Sequence, residues 1–501
     1  MTDQRSAGND HGLALIAVLV VMGGALLVAT SLLFVANAEI AGSSVAAERV
    51  QAQALVRSGI MAVMGRLNEQ RETILAGRTP ELDESYEIYE TGSRIGLVRL
   101  LPVGPGGELL VPEAGKRDLQ VIDAEMLAAT GLVDEELAAR IVDYRQRTLR
   151  RPYQSVGELL GVPGMTFETL YGPVDRIGRG VARGDRSDDG VRGLCDAVTV
   201  YGFEPALQVS GKLRINLNVP WSDELGSRVA ERFGSSSSDT LKRIMDGGTV
   251  FDTEAKLFGV LNFFQMDPSD WPEIIDTFTS EEGELHYGRL DINTAPYEAL
   301  LTLPGIGPEQ AADIVRIRDD LSDEDRETVA WPAIQGIVAP EAYDQLGGLI
   351  TTRSWTYRLR LAAGEVDADD PQDSEADGAM SGAIIYEVVL DLSSPRPRIA
   401  YLREVSWLRT AALIAANVGT LESDEPESDP LDEPDRSSAA EAQIGVAADP
   451  FSGDPVFSEQ PGAAEAVPPD ETGADMPAPA GEIGNRPATP VGKRIGRWTA
   501  G

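Results

Sequence analysis

The 501-residue chain carries 81 Asp and Glu against 43 Lys and Arg, a formal net charge of −38, with 42% apolar residues. That balance speaks against generic binding to nucleic acid or anionic lipid, which depends on Lys and Arg displacing counterions from phosphate. The single cysteine, Cys195, excludes an intrachain disulfide framework and any multi-cysteine metal site, while the length allows roughly two to four domains.

No charged residue falls between His11 and Glu39. At about 1.5 Å per helical residue, this run of roughly 26 residues spans about 39 Å, enough to cross a hydrocarbon core of about 30 Å with some tilt. It is too long for the apolar region of a cleaved secretory signal, about 7–15 residues. From Ala38 to about Leu75 there is no proline, and Val45, Ala46, Val50, Ala54, Ile60, Met61, Met64 and Leu67 recur at helical spacing. Glu48, Arg49, Gln53, Arg57 and Arg66 fall mostly on the other side. The pattern predicts one helix, or two nearly collinear ones, over 13–75, about 95 Å long. Gly59 and Gly65 soften it, each by about 1 kcal/mol against alanine.

Beyond the helix, 86–89 and 96–103 read as short strands with a Gly-Pro-Gly-Gly turn at 104–107, and 109–111 and 119–122 continue the β pattern. An internal repeat follows. Its clearest copy spans 289–354: a strand-like LDIN, the helix TAPYEALLTL, the tight hairpin Leu303-Pro304-Gly305-Ile306-Gly307, then a helix opened by Pro308 with Ala311, Ala312, Ile314, Val315 and Ile317 on one side. Asn293 or Thr294 is the expected cap of the first helix, with Pro296 in its first turn. A looser copy runs from Leu119, with Gly131 at the hairpin and Ala138, Ile141 and Val142 on the second helix, continuing through 152–174. A third candidate begins at Arg214 with INLN and includes helical stretches at 239–245 and 254–264, without an evident hairpin. The chain then returns to β structure at 355–361, 384–392 and 398–405, with an acidic stretch at 365–377 between the first two. From about residue 419 proline, alanine and acidic residues dominate, a disordered composition.

Three features together resemble the type IV pilin and pseudopilin family, specifically the K-type minor pseudopilins of type II secretion. They are a short polar leader ending in Gly12, the apolar helix opening at Leu13, and the INTA…LPGIG segment, with DYR at 143–145, RIRD at 316–319 and ELLGVPGMT at 158–166 beside them. The resemblance implies cleavage by prepilin peptidase between Gly12 and Leu13 and N-methylation of Leu13. Most members carry Glu at mature position five; here that position is Ala17, the habit of the tip subunit. The implied fold is α+β. A leader (1–12) precedes a transmembrane, pilin-like helix (13–78), and a small antiparallel sheet (79–122 and 355–408) is interrupted by a helix-hairpin-helix-type domain (119–354). A disordered acidic tail (419–501) closes the chain. The implied partners are the other minor pseudopilins, the inner-membrane secretion machinery and the peptidase. The implied location is a bacterial inner membrane, single-pass, with the bulk in the periplasm.

A helix-hairpin-helix normally suggests DNA, because glycine-hairpin N–H groups and the next helix N-terminus cradle a phosphate. Here Pro308 has no N–H and Glu309 and Gln310 follow, so a packing role is favoured over a membrane-tethered DNA receptor or an anchored adaptor, which remain the alternatives. The stretch 365–377 is a candidate for Ca²⁺, weighed against a solvated loop, since it lacks the order of an EF-hand. No other cofactor is implied. Cys195 and His286 stand without a motif around them, and no G-x-S-x-G, H-E-x-x-H or Walker sequence occurs, so the chain reads as a non-enzyme.

Overall fold

The computed structural model describes residues 10–173, 192–367 and 380–407. The leader residues 1–9, most of the acidic stretch (368–377) and the expected tail at 419–501 lie outside them. The protein is mixed α and β, built on a long N-terminal apolar helix and an antiparallel sheet.

Helix α1 runs over Asp10–Glu69, and after Gln70 a short α2 covers Arg71–Leu75. The break is held by Gln70, whose side chain donates to Glu81 O at 2.7 Å and accepts from Glu81 N at 2.9 Å. Over residues 18–47 α1 is bare, with Phe34 78% exposed, and it is long and apolar enough to cross a membrane. From Ala52 onward one face is buried: Leu55, Ile60, Val63 and Leu67 pack on Val98, Leu100, Leu359, Leu361, Val388 and Leu390. Gly59 is the point of closest approach, since a Cβ there would lie 2.6 Å from Val98 Cγ1.

The sheet is assembled from both ends of the chain. Strands β1 (Ser85–Thr91), β2 (Arg94–Leu101) and β3 (Leu110–Pro112) come before the helical part, and β12 (Thr356–Asp367), β13 (Ser381–Asp391) and β14 (Arg398–Glu404) after it. Their order is β1-β2-β12-β13-β14, with β3 also on β12, all antiparallel. The register places Leu361 opposite Leu100 and Leu359 opposite Val388, so period-two alternation lays one apolar row under α1. β12 extends through Glu365–Asp367, which the sequence reading assigns to the acidic loop. Glu365 is instead anchored by Tyr89 and by Arg94 at 2.7 Å.

Between the two halves of the sheet lie short strand pairs that enclose the helices. β4 (Arg117–Asp118) runs parallel to β5 (Val198–Thr199), β7 (Ile215–Asn216) to β8 (Phe278–Thr279), and β10 (Leu290–Asp291) to β11 (Ile350–Thr351). β6 (Phe203–Pro205) and β9 (Leu285–Tyr287) pair antiparallel between them. The parallel pairs delimit module one (117–199), module two (215–279) and module three (290–351). Module one contains α3 (Ala124–Ala129) and α4 (Glu135–Asp143), each capped by an aspartate. Module two contains α5 (Asp223–Phe233), α6 (Ser235–Asp246) and α7 (Glu254–Phe263). Module three contains α8 (Tyr297–Leu300) and α9 (Pro308–Ile317). Modules two and three share one core around Trp271, Trp331, Phe258 and Tyr343, and module one has its own around Leu127, Ile141 and Leu159.

Two local expectations are corrected. Residues 119–122 are a turn rather than a strand: Asp118 ends β4 by accepting Gln120 N–H at 2.8 Å, and Ile122 N–H returns to Asp118 O. An Asx turn of this kind has the apolar spacing of a strand but reverses the backbone. Module two does have a hairpin, at Gly234 with φ +84° between α5 and α6. A run of four serines hides it in sequence, and Ser238 is held in place by donating to Gly226 O.

Candidate functional site

The expected processing junction Gly12–Leu13 and the position Ala17 fall within α1, whose described residues begin at Asp10, so helical backbone runs through the junction. The hairpin residues lie in module three. Leu303 and Ile306 are buried in its core, Gly305 is exposed with φ +77°, and Gly307 is the N-cap of α9. Several donors around the hairpin are otherwise engaged. Gly307 N–H bonds Gln310 Oε1 at 3.2 Å, and the next residue is Pro308. Arg316 pairs with Asp313 at 2.7 Å, and Arg318 donates to Ala295 O.

Asn293 is not a helix cap. The N-cap of α8 is Pro296, with no side-chain cap bond. Asp291 takes the Asn293 N–H and the Thr294 hydroxyl. This frees the Asn293 amide for a tertiary role. Its Nδ2 donates to Gly77 O at 3.1 Å and Arg326 O at 2.8 Å, and its Oδ1 accepts from Trp331 Nε1 at 3.0 Å. The turn that follows α2 is thereby tied into module three. Gly77 is required there: its φ is +69°, and a Cβ would lie 2.4 Å from Arg326 O.

The three modules enter and leave by the same hydrogen bonds. At entry, Asp118, Asn216 and Asp291 each accept the N–H of the residue two further on, at 2.8, 2.7 and 3.0 Å. At exit, Thr199, Thr279 and Thr351 each do the same through Oγ1. Each threonine hydroxyl also donates to a buried glutamate: Thr199 to Glu113, Thr279 to Glu254 at 2.7 Å and Thr351 to Glu204 at 2.6 Å. The entry segments align without gaps as KRDLQVIDAEML (116–127), RINLNVPWSDEL (214–225) and RLDINTAPYEAL (289–300). That alignment is the signal the sequence reading passed over.

Glu204 and Glu254 belong to a buried ionic hub, whereas Glu113 pairs with Arg358 and Lys116. Arg289, 5% exposed, pairs with Glu204 at 3.1 Å, Glu254 at 3.1 Å and Glu281 at 2.6 Å. It thus joins the segment after module one, module two, and the segment after module two. Burial alone would raise the Glu204 carboxyl, but Arg289 and the nearby Arg214 hold it well below the carboxylate range. His286 Nδ1, at 3.9 Å, is out of hydrogen-bond reach. Arg353 pairs with Asp276 at 3.0 Å.

A cleft of about 770 Å³ lies between modules one and three and the sheet face away from α1. Aromatic rings line it, among them Phe167, Tyr171, Tyr401 and Trp407, and several of its cations are paired. Arg192 is held by Asp196 at 3.0 Å, Arg358 by Glu113 and Glu387, each at 2.6 Å, and Arg360 by Glu387 at 3.0 Å. Cys195 also lines the cleft; burial pushes its thiol up to about 12, away from nucleophilic use. His286 sits instead beside Thr279 and Glu204 in the hub, so the structure does not bring the two together. Among the described residues no group of His, Cys, Asp and Glu could hold a metal ion. No family model, curated protein or solved structure matches this chain.

Proposed function

We propose that this protein is a structural subunit of a pilin-like filament, of the minor-pseudopilin kind, positioned at the tip of a short pseudopilus that helps export folded proteins across an outer membrane. The observation that carries the reading is the division of labour along α1. The first half is apolar and is bare from residue 18, and the second half is the spine of an antiparallel sheet whose halves flank the helical modules. A bare apolar half-helix is suited to a bilayer before assembly and to a bundle of like helices after it. Cleavage by prepilin peptidase between Gly12 and Leu13, N-methylation of Leu13 and docking of the other minor pseudopilins follow in this reading, with the modules in the periplasm. Ala17 in place of a docking carboxylate suits a subunit with no neighbour above it.

In a strain lacking this protein, export of folded substrates falls and the wild-type gene restores it. Ala17→Glu lowers export and tip incorporation while leaving the protein level unchanged. Full function of Ala17→Glu would remove the tip assignment, and unimpaired export in the deletion strain would remove the secretion role. The DNA-receptor alternative is disfavoured by the occupied Gly307 N–H and by Pro308 and Glu309 at the hairpin. It predicts salt-sensitive retardation of DNA by the protein at low salt.

A further inference from the structure

The three module entries use one position in two chemical forms. Asp118 and Asp291 are carboxylates, 3% and 2% exposed, whereas Asn216 performs the same backbone bond with an amide. A carboxylate is therefore not needed for the turn, and burying one without an ion pair is unfavourable unless it takes up a proton. Among the described residues neither aspartate has an ion-pair partner. The two arginines best placed to serve them bond backbone instead: Arg145, C-terminal to α4, donates to Leu119 O, and Arg318, just beyond α9, to Ala295 O.

We propose that Asp118 and Asp291 are protonation-controlled latches that tighten modules one and three as the surroundings acidify, while module two, with Asn216, is indifferent. The groups facing each latch are few. Asp118 faces Arg117 beside it, Arg145, and Glu113 from the turn before β4. Asp291 faces Arg318, Glu204 of β6 and Tyr357 of β12. Burial outweighs the cations at both and lifts each carboxyl to about 6.

The protonated latch keeps its bonds. One oxygen still accepts the backbone N–H, and at Asp291 the other oxygen, now a hydroxyl, can donate to Thr294 Oγ1, 2.7 Å away. What is removed on acidification is the buried charge. The folded form then binds a proton more tightly than the unfolded form, so the grip is weakest above about pH 6 and strengthens as pH falls toward 4. Two pKa units correspond to a ceiling of about 100-fold in the local opening equilibrium.

Hydrogen exchange of the full chain in detergent micelles at pH 5 and pH 8, corrected for intrinsic exchange rates, tests this. Peptides over 117–122 and 290–295 become up to about tenfold better protected at pH 5, while those over 215–219 do not change. The double variant D118N/D291N, which installs the residue module two already uses, loses this pH dependence and keeps its protection at both values. Equal protection of 117–122 and 290–295 at the two pH values would overturn the proposal, and so would a dependence that survives in D118N/D291N.

Discussion

Asn293 is the residue whose loss the fold should feel most. It is 6% exposed and ties the turn after α2 at Gly77 to Arg326, with Trp331 Nε1 on its acceptor side. Asn293→Ala removes the Nδ2 donations to Gly77 O, Arg326 O and, at 3.4 Å, Thr352 O, and the bond from Trp331 Nε1. Each of the well-formed bonds is worth about 1 kcal/mol net, and the buried Trp331 N–H is left without its partner at about 1–3 kcal/mol. Allowing for relaxation, the expected destabilisation is about 3–5 kcal/mol. Asn293→Asp keeps the acceptor but loses the Nδ2 donations and places a carboxylate against carbonyl oxygens, so it is expected to be at least as damaging. Pulse proteolysis across a urea series measures both, and hydrogen exchange should show 74–80 and 326–331 losing protection together. A change below about 1 kcal/mol in Asn293→Ala would refute the assignment of this amide as the joint.

Three further outcomes follow from the packing. Gly59→Ala drives a methyl to 2.6 Å from Val98 Cγ1 and should cost about 1–3 kcal/mol, whereas Gly65→Ala meets open space and should gain about 1 kcal/mol, both read in urea melts. Arg289→Met leaves Glu204, Glu254 and Glu281 without their shared cation, and removing one side of such a buried set costs about 3–5 kcal/mol by the same assay. Burial would raise the Glu387 carboxyl, but Arg358 and Arg360 overcome it and hold it at about 2. Its contribution is therefore complete above about pH 4.5 and lost as pH falls toward 2. Glu387→Gln should flatten stability over that window, as followed by acid titration of tryptophan fluorescence.

The long helix and the strands around it could be read from the sequence because their cause is local. The uncharged run from residue 12 fixes a helix, and period-two alternation at 355–361 and 398–405 fixes strands. The joints between elements could not be read in this way. Asn293 carries the chemistry of an N-cap, and only the packing of Gly77, Arg326 and Trp331 around it diverts the amide to a tertiary role. The strand expected at 119–122 fails for a related reason, since the Asp118 carboxylate supplies a turn that apolar spacing does not encode. The hub around Arg289 draws Glu204, Glu254 and Glu281 from separate segments, so no window of sequence contains it. The entry motif was legible in principle: RLDIN, RINLN and KRDLQ share a basic residue, an Asp or Asn and an apolar residue in register.

The central claim is that α1 begins as a pilin-like helix released by processing. It is tested most directly by determining the N-terminal residue and mass of the membrane-extracted protein in cells with and without prepilin peptidase. The account predicts a mature chain starting at an N-methylated Leu13 only when the peptidase is present. An N-terminus at Met1 or Thr2 in both strains would contradict it and leave α1 as a static anchor.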